Sequence, residues 1–209
     1  MMLLEEIFKE KKAQHSDAFN LRIQRSLSWL KQSTEQQDHI AFKWVSLWIA
    51  FHAIYAENES ISQHPDKLKP FIQRLVHSDQ QGKIKHLLYS RLAASVETFF
   101  SQTRSLQHAD AAMFKSAFTQ YSTEKYNMEH TGTTEELVAL LHLLMQRLYA
   151  LYDQMLKGGM SYASRIHEEQ IALGTQLMSF LVPTYIQLLV ENTAAIADAE
   201  LYYPVRHMH

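Results

Sequence analysis

The residues with the most chemical reach lie in Leu148-Tyr-Ala-Leu-Tyr-Asp-Gln-Met-Leu-Lys-Gly-Gly159. Tyr152, Asp153 and Lys157 sit within about one helical turn of each other and run into a double glycine. Arg147 precedes them, and Arg165 and His167 follow. Gathered at a helix end, Arg147, Lys157, Arg165 and His167 would make a small basic binding patch, with Tyr152 available for stacking. Such a patch suits RNA phosphates and bases, or an acidic partner. Each residue also has a structural reading. Lys157 is a cation in the last turn of a helix, where it complements the dipole. Gly158 is placed to be the left-handed residue that ends the helix. Tyr152 can be a packing residue on an amphipathic face.

Other chemistries find little purchase. The chain has no cysteine, which excludes disulfides, zinc–cysteine sites and thiol nucleophiles. Its twelve histidines are scattered, with no His-Glu-x-x-His and no paired Glu-x-x-His. His167-Glu168-Glu169 is contiguous, so those side chains do not share a helix face. Arg104 and His108 are four apart but in a less regular segment. No glycine-rich phosphate loop occurs, and Gly158-Gly159 follows a helix where a phosphate loop would precede one. No Gly-x-Ser-x-Gly is present. Trp29, Trp44 and Trp48 stand at helical spacing among Leu and Ile, which predicts core packing. His52, on the most apolar stretch, reads as a core histidine bonded to a neighbour. No metal or cofactor is expected.

The elements that must position these residues are helices. Five glycines and four prolines in 209 residues leave few turn-formers. Formal net charge is −2, so the total charge gives no nucleic-acid footprint. Residues 1–15 predict a first helix on Leu3, Leu4, Ile7 and Phe8. Ser16-Asp17 caps a second, packed through Leu21, Ile23, Leu27, Trp29 and Leu30, with Arg22, Arg25 and Lys31 on its other face. Gln32 to Asp38 is a turn, or a loop with Asp38 as N-cap. Residues 38–57 are apolar almost all round, which predicts the centre of a bundle. Glu57 to Asp66 is a loop. Lys67 to His77 and Ile84 to Phe100 are two further helices, split by Ser78 to Gly82. Residues 101–132 form a less regular insertion. Thr133 or Thr134 with Glu135-Glu136 starts a helix that runs to Lys157. A last helix spans about 165–193 and should kink at Pro183. The tail holds Tyr202-Tyr203-Pro204.

The chain therefore reads as all-α, an up-down bundle in one domain, 1–209. No run matches a signal peptide, and Trp44 to Ala56 and Phe180 to Val190 are too short to span a bilayer. A soluble, cytoplasmic protein is the expectation.

Arg25-Ser-Leu-Ser-Trp-Leu-Lys31, Phe42 to Tyr55, Arg147 to Gly159 and Phe180-Leu-Val-Pro183 together resemble the HEPN superfamily over most of the chain. Its members are helical bundles, many of them metal-independent RNases of toxin–antitoxin and phage-defence systems. The resemblance implies a HEPN-type bundle and a homodimer packed about the motif helix. In active relatives that helix ends in a motif of the type Arg-Asn-x-x-x-His-Gly-Gly. Here Tyr152 stands where the arginine would be, Asp153 where the asparagine would be, and Lys157 where the histidine would be. Tyrosine offers no cation, Asp153 adds a negative charge where phosphate would sit, and lysine is a poor proton shuttle at neutral pH. The expectation is a catalytically degenerate HEPN-like protein that binds RNA or protein. The alternatives are a ribonuclease rearranged around Lys157, Arg147 or His142, and a structural dimer with no nucleic-acid role.

Overall fold

The computed structural model describes residues 2–35, 39–55, 68–102, 133–161 and 165–192. Eight α-helices and no strand occur among them: α1 Met2–Lys11, α2 Asp17–Glu35, α3 Ile40–Tyr55, α4 Leu68–Ser78, α5 Lys83–His86, α6 Ala93–Gln102, α7 Thr134–Leu156 and α8 Arg165–Glu191. The expected Asp38 cap, the Glu57–Asp66 loop, residues 103–132 of the insertion and the Tyr202-Tyr203-Pro204 tail lie outside the described residues.

Local sequence sets most of the boundaries. The Phe19 N–H donates to Ser16 Oγ at 3.2 Å, so Ser16 caps α2. At α7 the Glu136 N–H donates to Thr133 Oγ1 and the Thr133 N–H to Glu136 Oε2, a complete capping box. Between α4 and α5 the chain turns through Gly82 at φ 65°. Both Asp79 carboxylate oxygens then accept the first amides of α5, from Lys83 and Ile84.

Two expectations need correction at element boundaries. The first helix ends at Lys11 and tightens into a 3₁₀ turn at Lys12–Gln14. Ile84 to Phe100 is two helices joined by a π turn, Leu87–Arg91, closed by the Leu92 N–H donating to the Leu87 carbonyl at 2.9 Å. That extra residue per turn re-phases α6, so Val96, Phe99 and Phe100 meet the core.

Burial explains the architecture. Helices α2 and α3 form an antiparallel hairpin, tied where Ser26 Oγ donates to the Ala50 carbonyl at 2.7 Å. Helix α8 is the axis on which α3, α1 and α6 pack, while α4 packs on α7. Trp44, Trp48 and Phe51 of α3 and Tyr185 of α8 are all essentially inaccessible. Close approach of α3 to α8 depends on Gly174, because a Cβ there would lie 2.9 Å from Trp44 Cη2. Helix α8 continues through Pro183 without a break. Its stretch His167–Glu191 is long and apolar enough, by length and composition, to cross a bilayer. In this fold most of that stretch is buried inside the bundle, which accounts for its composition.

On α2 the polar and apolar faces differ from expectation. Trp29 is 40% exposed, and Arg22 is buried. The α2 stripe that meets α3 runs Phe19, Ile23, Ser26, Leu27, Leu30. Trp29 lies off it by two residues from Leu27, or about 200° of helix.

Candidate functional site

The C-terminal half of α7 carries the proposed site, and its end is a Schellman motif. Gly158 has φ 74°, its N–H donates to the Met155 carbonyl at 3.1 Å, and the Gly159 N–H donates to the Gln154 carbonyl at 2.8 Å. Both glycines have a structural reason. Gly158 supplies the left-handed residue, and a Cβ at Gly159 would fall 2.8 Å from Gln154 Cγ and 3.0 Å from its carbonyl oxygen. The double glycine thus ends the helix whatever chemistry precedes it.

Tyr152 faces inward. Its ring stacks on Trp48 of α3, with centroids 4.9 Å apart and planes at 20°. Tyr149 meets the same indole edge-on at 5.7 Å. His52, one turn beyond Trp48, lies 5.7 Å from Tyr152 and 6.4 Å from Tyr149, with Phe51 and Tyr55 on its other sides. Its described neighbours are therefore rings rather than the hydrogen-bond partner expected from the sequence. Burial pushes the His52 pKa down to about 4, so the imidazole is neutral at neutral pH. Burial, then the neighbouring Tyr149, pushes the Tyr152 phenol up.

The cations fall into different environments. Lys157 Nζ donates to Asp153 Oδ2 at 2.8 Å across one turn, and that hydrogen bond holds the ammonium above its usual range. Arg165 pairs in the same way with Glu169 at 3.3 Å on exposed surface. Arg147 does not join an exposed patch. It is buried, with its guanidinium 4.5 Å from the centroid of the Phe100 ring. His167 is half-buried in the first turn of α8, and its Nδ1 is buried without a hydrogen bond. Arg147 and Lys157 lie ten residues apart on one helix, about 15 Å of rise. Among the described residues no group of three His, Asp or Glu stands close enough to hold a metal ion.

What the arrangement offers is an aromatic, charge-compensated surface. Tyr149 and Leu156 are 41% and 57% exposed on either side of Tyr152. At i, i+3 and i+7 they form one stripe along α7. The cations beside it are neutralised by their own acids. The partners Trp48, His52 and Tyr149 were the missed members of this site. Their signal in sequence is a Trp48-His52-Tyr55 row on α3 at four and three residues, facing a Tyr149-Tyr152 pair three apart.

No protein-family model, curated protein or solved structure matches the chain.

Proposed function

We propose that this chain is a catalytically degenerate HEPN-like interaction module, whose docking face is the Tyr149-Tyr152-Leu156 stripe of α7 backed by His52 of α3. The observation that carries this reading is Tyr152 stacked on Trp48 where the resemblance calls for a phosphate-binding arginine. A phenol committed to packing leaves no cation at that position. The proton-transfer position is held by a lysine tied to Asp153, with its pKa raised. At these motif positions neither half of acid–base cleavage of RNA is provided for.

An aromatic and aliphatic stripe with compensated charge fits a protein surface better than a phosphate chain. The resemblance supports a second copy of this chain as the occupant, in a homodimer packed about α7. A role in a toxin–antitoxin or defence system follows from the resemblance alone. The alternative of a ribonuclease rearranged around Lys157, Arg147 or His142 draws less support, since Arg147 is buried against Phe100.

The test compares wild type with a Tyr152→Arg/Asp153→Asn/Lys157→His variant in metal-free RNA cleavage, with oligomeric state measured beside it. The proposal expects no cleavage by wild type and a dimer that Leu156→Glu dissociates. Cleavage by wild type, abolished by Lys157→Ala, would overturn it. Gain of cleavage by the triple variant would identify the groove as an intact site with its chemistry removed.

A further inference from the structure

Three helices end on one cleft. The last turn of α1 brings Glu10 and Lys11, the turn after α4 brings Asp79, Gln80 and Gln81, and the last turn of α8 brings Glu191 and runs on to Asn192. The cleft between them holds about 460 Å³, inside the range of roughly 300–1,000 Å³ found for small-molecule sites. Ile7 and Leu188 give it an apolar wall, and Ser78 and the amide side chains line the rest. No residue of α7 takes part in it.

The cleft is electronegative. A helix C-terminus carries a partial negative charge of about half a unit, and three of them converge here. Among the lining side chains three acids stand against two lysines. Lys83 donates to Glu191, and Lys11 lies within electrostatic reach of the same carboxylate, so both lysines are directed at one acid. Asp79 gives both oxygens to the Lys83 and Ile84 amides, which offsets the N-terminus of the short α5. Glu10 is exposed and takes part in no ion pair among the described residues. Glu10 and the helix ends therefore leave a surplus of negative charge. The layout of the acids selects the kind of cation. Among the described residues no three His, Asp or Glu lie close enough to hold a metal ion, so the carboxylates are spread around the cleft rather than focused on a point. A cationic head on a carbon stem uses such a layout. The head meets Glu10 and the backbone carbonyl ends, and the stem lies along Ile7 and Leu188.

We infer that this cleft binds a small organic cation, an alkylammonium or alkylguanidinium. It is a separate site from the aromatic stripe and goes beyond the function proposed for that stripe. Two sources offer the same chemistry, a free amine and the Lys or Arg side chain of a partner, and the experiment separates them.

The experiment is a proton–nitrogen NMR titration of the full chain at low salt, with butylammonium, butylguanidinium and N-acetyl-lysine-N-methylamide as probes. Each cation should shift the amide signals of Ile7, Ser78 to Gln81 and Asn192 in a saturable way, with a Kd on the order of 1 mM for ligands this small. Butyrate, similar in size and opposite in charge, should give no saturable shift. Glu10→Gln should weaken cation binding at least about fivefold and Glu10→Lys at least about tenfold, as loss or reversal of a charge at contact distance requires. Both variants should keep wild-type helicity and melting temperature, because Glu10 is exposed. Leu156→Glu should leave cation affinity unchanged even where it dissociates the dimer, so the two proposals stand or fall apart. A blocked lysine that binds more tightly than butylammonium identifies a partner's side chain as the source, and the reverse order identifies a free amine. No saturable shift with any of the cations, an equal response to butyrate, or wild-type affinity in Glu10→Lys would overturn the inference. So would tighter binding of magnesium ion than of the organic cations, which would make this a metal site.

Discussion

Tyr152 covers an indole that nothing else in α7 reaches so squarely, so its ring should matter more than its hydroxyl. Tyr152→Ala removes the stack on Trp48 and should lower stability by about 2 kcal/mol, less than a fully buried aromatic because Tyr152 is only half-buried. Tyr152→Phe should stay within about 0.5 kcal/mol. The midpoints of urea unfolding separate the two. His52 gives the same cluster a pH dependence. Its folded pKa is about 4, against about 6.5 for a free imidazole. As pH falls, the unfolded chain takes up that proton first. The stability from a neutral His52 is therefore present above about 6.5 and lost as pH falls toward 4, with a total on the order of 3 kcal/mol. His15, lowered mainly by burial, contributes with the same sign. His52→Phe should flatten the stability profile between pH 6.5 and 4. An unchanged profile in that variant would show that His52 is not the group responsible.

Helix ends in this chain are written locally, and that is why they could be read. Ser16, Thr133 with Glu136, and Gly158 each act on backbone groups within five residues, so spacing alone reveals them. The Leu87–Arg91 π turn and the inward turn of Arg22 have no such signature, because tertiary packing decides them. The same limit applied to the candidate site. Tyr152, Asp153 and Lys157 could be singled out by position, and the Asp153–Lys157 pair follows from a spacing of four. That Tyr152 lies on Trp48, while Arg147 lies on Phe100, depends on which helices meet. Gly174 shows how strongly such a meeting constrains one residue. Gly174→Ala adds a methyl 2.9 Å from Trp44 Cη2 and 3.4 Å from Leu148 Cδ2, and Trp44 is fully enclosed. Overpacking there should cost about 1–3 kcal/mol, despite alanine's better helix propensity. Pairing it with Trp44→Phe should recover part of the loss, a coupling that a double-mutant cycle measures. Additive losses would show that the contact is not the cause.

At the scale of the whole molecule, the character of an exposed face decides what governs association through it. The α7 stripe is aromatic and aliphatic, and its flanking charges are already neutralised within the chain, so association through it should be driven by apolar burial. Burial of this kind is insensitive to moderate salt, whereas long-range attraction between exposed charges is screened within about 8 Å at physiological ionic strength. The self-association proposed for this stripe, measured by sedimentation equilibrium, should therefore keep its dissociation constant within about threefold between about 0.1 and 0.5 M salt, as an apolar interface requires. Leu156→Glu places a charge on the most exposed apolar member of the stripe and should weaken the proposed association by about a hundredfold or more. Lys157→Ala removes only a surface ion pair, worth about 0–1 kcal/mol, and should leave association nearly unchanged. A constant that rises steeply with salt, or that responds to Lys157→Ala more than to Leu156→Glu, would mean that charge rather than the stripe holds the copies together.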